Sequence, residues 1–163
     1  MIEQQAKMMA YPLYLPEPPS TGDLTTARSE RGAGERIVLV EDAVSVRAIT
    51  ARLLASLNFE VLAAPDAGSA LALLDSLDAA GLPVDLVLSD VVMPLGMNGI
   101  DLSIAIWGRF PRTPVLLCSG YPDQVLKDAG LSDEDMQQIR LIRKPFTREA
   151  LIARINNALY DVR

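Results

Sequence analysis

The stretch Leu86-Val87-Leu88-Ser89-Asp90-Val91-Val92-Met93-Pro94 decides the fold, because it is a mostly apolar run that ends in a carboxylate and continues into a loop. A short run that is apolar on both faces is typical of a strand in a parallel sheet covered by helices. In open α/β sheets, ligands bind outside the carboxyl ends of such strands. The stretch therefore predicts that Asp90 lies in a binding site.

Polar residues also end or follow the other apolar runs of the chain. Glu41 and Asp42 follow one run, Ser119 ends another, and Lys144 precedes a proline after a further run. Because parallel strands bring their carboxyl ends to one edge of a sheet, we expect these side chains to meet Asp90 there. The pattern predicts an acidic pocket that also contains a hydroxyl and an ammonium group.

The carboxylates of Glu41, Asp42 and Asp90 predict a cation site. Like charges held a few ångströms apart repel one another unless a cation offsets them. Mg²⁺ takes oxygen ligands, uses one or two carboxylates and leaves room for phosphate oxygens. The backbone carbonyl of Val92, just past Asp90, is a candidate for a further ligand. We therefore predict a Mg²⁺ site formed by Glu41, Asp42, Asp90 and Val92.

With a cation in place, the pocket is equipped to form an acyl phosphate on Asp90. A carboxylate oxygen can attack phosphorus, and phosphoryl transfer depends mainly on alignment and charge neutralisation. We expect Lys144 and the Ser119 hydroxyl to bind oxygens of the phosphoryl group. A single acid at the end of a strand is more often a helix cap or part of a solvated turn. Because suitable polar groups occur at the ends of several strands, we favour a phosphoryl-binding site over isolated caps or turns.

Strands and helices alternate from residue 36 onward, whereas residues 1–35 are rich in proline and glycine. This alternation predicts parallel pairing through right-handed crossovers. The predicted strands are 36–41, 59–64, 84–89, 113–118 and 139–143, and the predicted helices are 44–57, 66–80, 98–109, 121–129 and 147–160. We predict a flexible extension or linker over 1–35, with a short strand at 11–15, and one globular domain over 36–163.

Apolar spacing predicts which faces of two helices are buried. In helix 147–160, where Thr147 is a suitable N-cap, the stripe consists of Leu151, Ile152, Ile155 and Leu159. In helix 44–57, the residues expected to face the sheet are Ile49, Leu53, Leu54 and Leu57. The segment 132–138 is polar and acidic, and we expect a solvated turn or a short helix there.

Composition excludes several kinds of protein. The chain has 163 residues, with 21 acidic against 15 basic residues and a net charge of −6, which disfavours nucleic-acid binding. We find no apolar stretch long enough for a membrane span and no signal peptide, and the single cysteine, Cys118, fits a reducing cytoplasm. The chain has no histidine, so a phosphohistidine donor would have to be another molecule or another part of a larger protein.

Over residues 36–160 the sequence resembles the receiver domains of two-component response regulators. The matching motifs are Ile37-Val38-Leu39-Val40-Glu41-Asp42, Asp90-Val91-Val92-Met93-Pro94 with Gly96-Met97-Asn98-Gly99, Cys118-Ser119-Gly120-Tyr121, and Lys144-Pro145-Phe146. The resemblance implies an α/β, doubly wound, flavodoxin-like (βα)5 fold whose five-stranded parallel sheet has the order 2-1-3-4-5. It also implies Mg²⁺-dependent transfer from a phosphohistidine to Asp90, and a cis Lys144–Pro145 peptide bond.

The resemblance implies that the partner is a histidine kinase or a histidine phosphotransfer protein. It further implies a signalling module that accepts a phosphoryl group and slowly hydrolyses it, rather than a conventional enzyme. Val92 and Tyr121 flank the approach of water to Asp90, and neither side chain holds water well, so we predict a persistent acyl phosphate. An aspartyl-phosphate phosphohydrolase is disfavoured, since such enzymes usually have a second Asp where this chain has Val92.

Three departures from the common receiver pattern bear on output. Leu95 lengthens the loop after Pro94 by one residue, as in receivers attached to hybrid histidine kinases. Leu141 stands where many members have the Tyr or Phe that rotates on activation, which favours a phosphorelay. No output domain follows Arg163, so we expect a single-domain or hybrid-kinase-derived receiver. The segment 11–16 also resembles the last strand of a kinase ATP-binding domain.

Two alternatives stay open at this point. The first is a phosphorylation-independent interaction module that keeps the receiver fold, which the intact set of pocket residues disfavours. Normal signalling after the substitution Asp90→Asn would favour this module. The second concerns assembly: a homodimer is compatible with the sequence, and the segment 1–35 is a candidate arm that packs on a second subunit.

Overall fold

The computed structural model describes residues 31–94, 96–121, 131 and 133–160. The elements found there are, in chain order, β1 (Arg36–Val40), α1 (Val44–Ser56), β2 (Glu60–Ala64), α2 (Ala67–Ala79), β3 (Leu86–Asp90), α3 (Gly99–Arg109), β4 (Val115–Ser119), α4 (Asp133–Gln138), β5 (Arg140–Arg143) and α5 (Arg148–Tyr160). The predicted strand 11–15, and the predicted helix 121–129 apart from its first residue, lie outside the described residues.

The strands form one parallel sheet in the order β2-β1-β3-β4-β5, which confirms the predicted doubly wound, flavodoxin-like fold. The register pairs Val40 with Ser89, Asp90 with Cys118, and Ser119 with Arg143. The carboxyl ends of β1, β3, β4 and β5 are therefore nearly level. This register places the residues that end or follow these strands along one edge of the sheet.

The sheet is buried on both faces because its central strands are apolar throughout. Successive side chains of a strand point to opposite faces, so β1 and β3 contribute to two separate cores. The core beneath α1 and α5 contains Ile37, Leu39, Leu86 and Leu88. The core beneath α2 and α3 contains Val38, Val40 and Val87. Every residue of β4 is buried, as the apolar run at 115–118 predicted.

Two strands begin two residues later than the sequence predicted. The prediction 113–118 becomes Val115–Ser119, because the Thr113 N–H donates to the Phe110 carbonyl at 2.9 Å and closes a turn before the strand. The prediction 84–89 becomes Leu86–Asp90, and the Asp85 carboxylate accepts a hydrogen bond from the Arg36 N–H at 2.7 Å. Strand β3 therefore ends at Asp90, one residue later than predicted.

The predicted buried face of α1 is wrong at one position. Leu54 and Leu57 are fully buried as expected and Leu53 packs at the margin of the core, but Ile49 is 67% exposed. At about 100° per residue, Ile49 lies about 140° around the helix from Leu54. Ala51, which was not assigned to this face, packs against the core instead.

The last helix agrees with its prediction. Leu151, Ile152 and Ile155 are buried, and Leu159 packs against the same core. The Thr147 hydroxyl accepts a hydrogen bond from the Ala150 N–H at 3.2 Å, as an N-cap does. Within the acidic segment 132–138, Asp133–Gln138 form the short helix α4, which was one of the two expected outcomes.

Candidate functional site

The residues that follow or end β1 and β3 bring carboxylates together. One oxygen from each of Glu41, Asp42 and Asp90 lies within 4.8 Å of the others. That separation matches the span between ligands on opposite sides of one hard cation, which is about 4–5 Å. Glu41 is only 6% exposed, and Asp42 and Asp90 are half-buried. The donor set is entirely oxygen, as a hard divalent ion requires.

The Lys144 ammonium bridges two of these carboxylates. Its Nζ donates to Asp90 Oδ2 at 2.9 Å and to Glu41 Oε2 at 3.1 Å. Burial alone would lower the pKa of Lys144, but hydrogen bonds and charge from Asp90 and Glu41 outweigh it and raise the pKa. The side chain is therefore an ammonium at neutral pH. One ammonium facing the carboxylates of Glu41, Asp42 and Asp90 leaves the pocket with excess negative charge, which favours a bound cation.

Ser119 and Val92 also lie at this edge. Ser119 is buried at the end of β4, next to the residue that pairs with Asp90, and its hydroxyl accepts from the Tyr121 N–H at 3.1 Å. The Val92 N–H donates to Asp90 Oδ1 at 3.3 Å, which holds residue 92 beside the carboxylate. The roles predicted for the Ser119 hydroxyl and the Val92 carbonyl stay predictions.

Backbone contacts tie the Lys144 segment to β4. The Lys144 N–H donates to the Ser119 carbonyl at 2.8 Å, so the two strand ends stay in register as the chain leaves the sheet. The Lys144–Pro145 peptide bond is cis, which confirms the expectation drawn from the resemblance. Phe146 then packs against the core beneath α1 and α5.

Arg47 is a positioning residue that the sequence interpretation missed. Its Nη1 donates to the Glu41 carbonyl at 2.6 Å and to the Asp42 carbonyl at 3.0 Å. The Ala43 N–H also donates to Glu41 Oε1 at 3.3 Å. These contacts fix the turn between β1 and α1, so that both acidic side chains are presented to the pocket. An arginine one helical turn after an acidic pair was the available signal.

Gly99 is a second residue whose part was missed, although it belongs to a matching motif. A Cβ atom at this position would overlap the Asp90 carbonyl oxygen and lie 2.9 Å from Val91 Cα. The Gly99 N–H donates to the Val91 carbonyl at 2.9 Å, and the Asn98 side chain caps α3. The start of α3 is thereby packed directly against the end of β3, which only glycine allows here.

Cys118 is the cross-strand neighbour of Asp90 and adds no charge to the pocket. Burial raises the pKa of its thiol to about 12, with the Lys144 charge opposing that rise and Asp90 and Glu41 adding to it. The thiol is therefore neutral at physiological pH. Beneath the carboxylates it lines a cavity of about 30 Å³, also lined by Glu41, Asp90 and Lys144. A cavity of that size has room for one water molecule.

Comparison with known proteins identifies the family and agrees with the fold. The family model described as "Response regulator receiver domain" matches residues 37–156. The chain belongs to the response regulator receiver domain family. Receiver domains are signalling domains rather than conventional enzymes, and they generally bind Mg²⁺ at an acidic cluster. Those of hybrid kinases and response regulators interact with histidine kinases or phosphotransfer proteins.

Two curated relatives show where similar receiver domains occur. Sensor histidine kinase TmoS of Ectopseudomonas mendocina is 32% identical over 151 residues, which cover 91% of this chain and 14% of TmoS. Transcriptional regulatory protein CpxR of Klebsiella pneumoniae is 34% identical over 124 residues, which cover 76% of this chain and 49% of CpxR. The chain thus spans about half or less of the length of these relatives.

Solved structures give the same result. The receiver domain of hybrid histidine kinase CckA has a TM-score of 0.60 and 31% identity, with coverage of 76% of this chain and 98% of that one. A response regulator receiver domain from Clostridium thermocellum has a TM-score of 0.65 at 23% identity, with coverage of 78% and 95%, and it supports the fold alone. Among the described helices of this receiver, none has the length and hydropathy needed to cross a membrane.

Exposed apolar side chains surround the receiver's acidic pocket. Val44 follows Asp42 by two residues, Val92 follows Asp90 by two, and Tyr121 follows Ser119 by two; all three side chains are at least two-thirds exposed. Val46 and Ile49 continue this surface along α1. Leu141, at the position where many receivers have an aromatic residue, is partly buried against the core beneath α2 and α3.

Proposed function

We propose that this receiver takes a phosphoryl group from a phosphohistidine onto Asp90, with Mg²⁺ held by Glu41, Asp42, Asp90 and the Val92 carbonyl. The observation that carries the proposal is the convergence of three carboxylates, with oxygens within 4.8 Å of one another, two of which pair with the Lys144 ammonium. A pocket with this surplus of negative charge accommodates a cation and the oxygens of a phosphoryl group. We place this reaction in the cytoplasm.

The proposed reaction conserves atoms and charge. An Asp90 carboxylate oxygen attacks phosphorus, a P–O bond forms, the P–N bond to the donor imidazole breaks, and the imidazole keeps the electron pair. When bound, Mg²⁺ supplies positive charge that lowers repulsion between the phosphoryl group and the carboxylates. Lys144 neutralises charge on the phosphoryl oxygens, since its ammonium already contacts Asp90. The Ser119 hydroxyl binds a phosphoryl oxygen from the neighbouring strand.

Phosphorylation by a small donor tests the proposed chemistry. Phosphoramidate contains the same type of P–N bond as phosphohistidine, and intact-mass spectrometry detects the added group. We expect uptake with Mg²⁺, none after chelation, and none in Asp90→Asn. The matched control is Asp85→Asn, a carboxylate at the opposite edge of the sheet, which should retain uptake. Uptake by Asp90→Asn, or uptake that ignores the chelator, would contradict the proposal.

We further propose that the donor protein docks on the exposed apolar surface of α1. Val44, Val46 and Ile49 are large, exposed and next to the loop that carries Asp42, and exposed apolar patches of this kind mark protein contacts. The donor class that fits the reaction is a histidine kinase or a histidine phosphotransfer protein. Docking on α1 brings the donor imidazole to the mouth of the pocket.

A charge placed on that surface separates docking from chemistry. We expect Ile49→Lys to slow phosphotransfer from a protein donor by about tenfold or more, because it inserts a charge into an apolar contact. Phosphorylation by phosphoramidate should stay unchanged. The control is Ile104→Lys, which places the same charge at another exposed isoleucine, on α3. Equal slowing with both donors would assign Ile49 to the folding of the pocket rather than to docking.

We also propose that this chain is related to the receiver domains of hybrid histidine kinases. The match to TmoS covers 91% of the chain, so it includes more than half of residues 1–35 as well as the receiver domain. A segment shared with a sensor kinase on the amino-terminal side supports a phosphorelay role. The phosphorylated state would then pass its phosphoryl group onward or lose it by slow hydrolysis.

A further inference from the structure

Strand β2 forms one edge of the sheet and pairs with β1 along one of its sides. The ladder can be followed at both of its ends. The Glu60 N–H donates to the Glu35 carbonyl at 2.9 Å, and the Ala64 carbonyl accepts from the Glu41 N–H at 3.2 Å. Alternate residues of a parallel strand direct their N–H and C=O groups to the same side. The even-numbered residues of β2 therefore bond to β1.

The backbone groups of Val61 and Ala63 consequently point to the open side of β2. Within the part of the chain that the structure describes, no strand or loop forms a hydrogen bond with them. A row of unpaired N–H and C=O groups at a sheet edge is a template for a further strand. The open side of β2 can therefore accept one.

The side chains of β2 do little to block such pairing. Proteins usually protect a sheet edge with charged side chains or proline. The only charged residue of β2 is Glu60, and its carboxylate already pairs with the Arg36 guanidinium at 2.9 Å. Ala63 is exposed but small, and Val61 and Leu62 are half-buried apolar residues. An approaching strand would meet apolar surface and no uncompensated charge on β2.

We infer that β2 pairs with β2 of a second copy of the chain, antiparallel, about a two-fold axis through Leu62. Val61 then lies opposite Ala63 of the second copy, and Ala63 lies opposite Val61. Residues opposed in this way exchange both of their N–H···O bonds, so every outward backbone group of β2 gains a partner. The two sheets join into one, and the inference does not depend on phosphorylation at Asp90.

The neighbouring two-fold registers satisfy fewer groups. An axis through Ala63 sets Val61 opposite Pro65, which has no N–H to donate. An axis through Val61 sets Ala63 opposite Phe59, whose N–H already donates to the Leu54 carbonyl at 3.2 Å. The arrangement of donors therefore selects the central register.

Charge distinguishes β2 from β5, the strand at the other edge of the sheet. In the central register of β2, Glu60 lies opposite Ala64 of the second copy, so the two glutamates are kept apart. The equivalent axis through Ile142 would set Arg140 opposite Lys144 of the second copy. Like charges directly opposite each other destabilise a strand pair. Self-pairing is therefore compatible with β2 and disfavoured at β5.

Cysteine cross-linking of the full chain tests the register. The two copies of Leu62 would have Cα atoms about 4.5 Å apart, which a disulfide can bridge. The two copies of Ala63 would be about 7–8 Å apart, beyond that reach. Under mild oxidation we expect a disulfide-linked dimer in Leu62→Cys and its loss in Ala63→Cys. Exposure alone predicts the reverse, because Ala63 is the more exposed residue, and native Cys118 is buried.

Sedimentation velocity of the unaltered full chain tests the assembly. We expect a monomer–dimer equilibrium that shifts toward the dimer with concentration. Ala63→Pro removes an outward N–H without removing a bond to β1 and should abolish the dimer. Ala63→Val keeps the N–H and is the matched control, which should still form dimers.

Three results would overturn the inference: a monomer at every concentration, a dimer that Ala63→Pro leaves unchanged, or equal cross-linking by the two cysteine variants. The cysteine pair decides the matter even where Ala63→Pro does not fold.

Discussion

The two ends of the same five strands use charge differently. At the amino-terminal edge, the Arg36 N–H donates to Asp85 at 2.7 Å, and the guanidinium donates to the Pro83 carbonyl at 2.8 Å and to Glu60 at 2.9 Å. At the carboxyl-terminal edge, the carboxylates of Glu41, Asp42 and Asp90 lie together, and the Lys144 ammonium contacts those of Glu41 and Asp90. At the first edge Arg36 contacts both carboxylates, whereas at the second edge three carboxylates lie together and the Lys144 ammonium pairs with those of Glu41 and Asp90.

The difference separates structural charge from functional charge. A paired group stabilises the fold or is neutral to it, while crowded like charges oppose folding until a ligand neutralises them. Both edges are rich in acidic residues, so composition alone does not distinguish them. The crowding of three carboxylates at the carboxyl-terminal edge does, and matched substitutions at the two edges test the contrast.

The largest contrast is expected between the two cations. We expect Lys144→Met to slow phosphorylation by phosphoramidate by about 100- to 1,000-fold, the usual loss when one preorganised charge partner of a transition state is removed. Arg36→Met should keep the rate and lower the free energy of unfolding by about 1 kcal/mol, because it removes hydrogen bonds to Pro83 and Glu60. Initial rates at saturating Mg²⁺ measure the first effect, and urea unfolding measures the second. A Lys144→Met rate close to that of the unaltered chain would contradict the functional role assigned to the Lys144 charge.

Two glycines of α3 provide a contrast in packing. Gly99→Ala should lower the free energy of unfolding by about 1–3 kcal/mol, since the added Cβ overlaps the end of β3. Gly108→Ala, near the other end of the same helix, has no atom within 4 Å of the added Cβ and should stabilise the chain by up to about 1 kcal/mol. Chemical denaturation of the two variants side by side is the measurement. Equal effects would mean that the tight fit at Asp90 is not rigid.

The lifetime of the acyl phosphate depends on the rim of the pocket. Val92 is 69% exposed and Tyr121 is 78% exposed, and neither side chain positions a water molecule for attack on phosphorus. We expect slow hydrolysis in the unaltered chain and an acceleration on the order of tenfold in Val92→Asn, equivalent to about 1.4 kcal/mol of barrier. Leu82→Asn at the opposite edge is the control and should change nothing. Loss of the phosphoryl group within seconds from the unaltered chain would refute the prediction of persistence.

The sequence was sufficient to predict the fold because buried strands appear in it as short apolar runs. Apolar runs that end in Asp90 and Ser119 placed the strands within two residues. The parallel pairing followed from the alternation with helices, and the strand order followed from the resemblance to receiver domains. The exposed position of Ile49 was missed, because the apolar residues of α1 exceed those that the sheet can cover. Arg47 and Gly99 were missed because their contacts are with backbone atoms, which side-chain patterns do not reveal.

The smallest effect is expected from single carboxylates without metal. Asp42→Asn should raise the free energy of unfolding by up to about 1 kcal/mol in the presence of a chelator, because it relieves repulsion in the pocket. Added Mg²⁺ should stabilise the unaltered chain but not this variant. Asp85→Asn should lower stability by about 1 kcal/mol and keep the response to Mg²⁺, since it removes only the hydrogen bond from Arg36. Thermal unfolding with and without Mg²⁺ measures both, and equal Mg²⁺ responses would count against the proposed ligands.

A crystal structure with Mg²⁺ and beryllium fluoride, a mimic of the phosphoryl group, tests directly whether Asp90 accepts a phosphoryl group beside a metal ion. We expect a beryllium–oxygen bond to the Asp90 carboxylate, fluorine atoms beside Lys144 Nζ and the Ser119 hydroxyl, and a metal ion among oxygens of Glu41, Asp42, Asp90 and Val92. An adduct on another side chain, or a metal ion bound away from these oxygens, would contradict it.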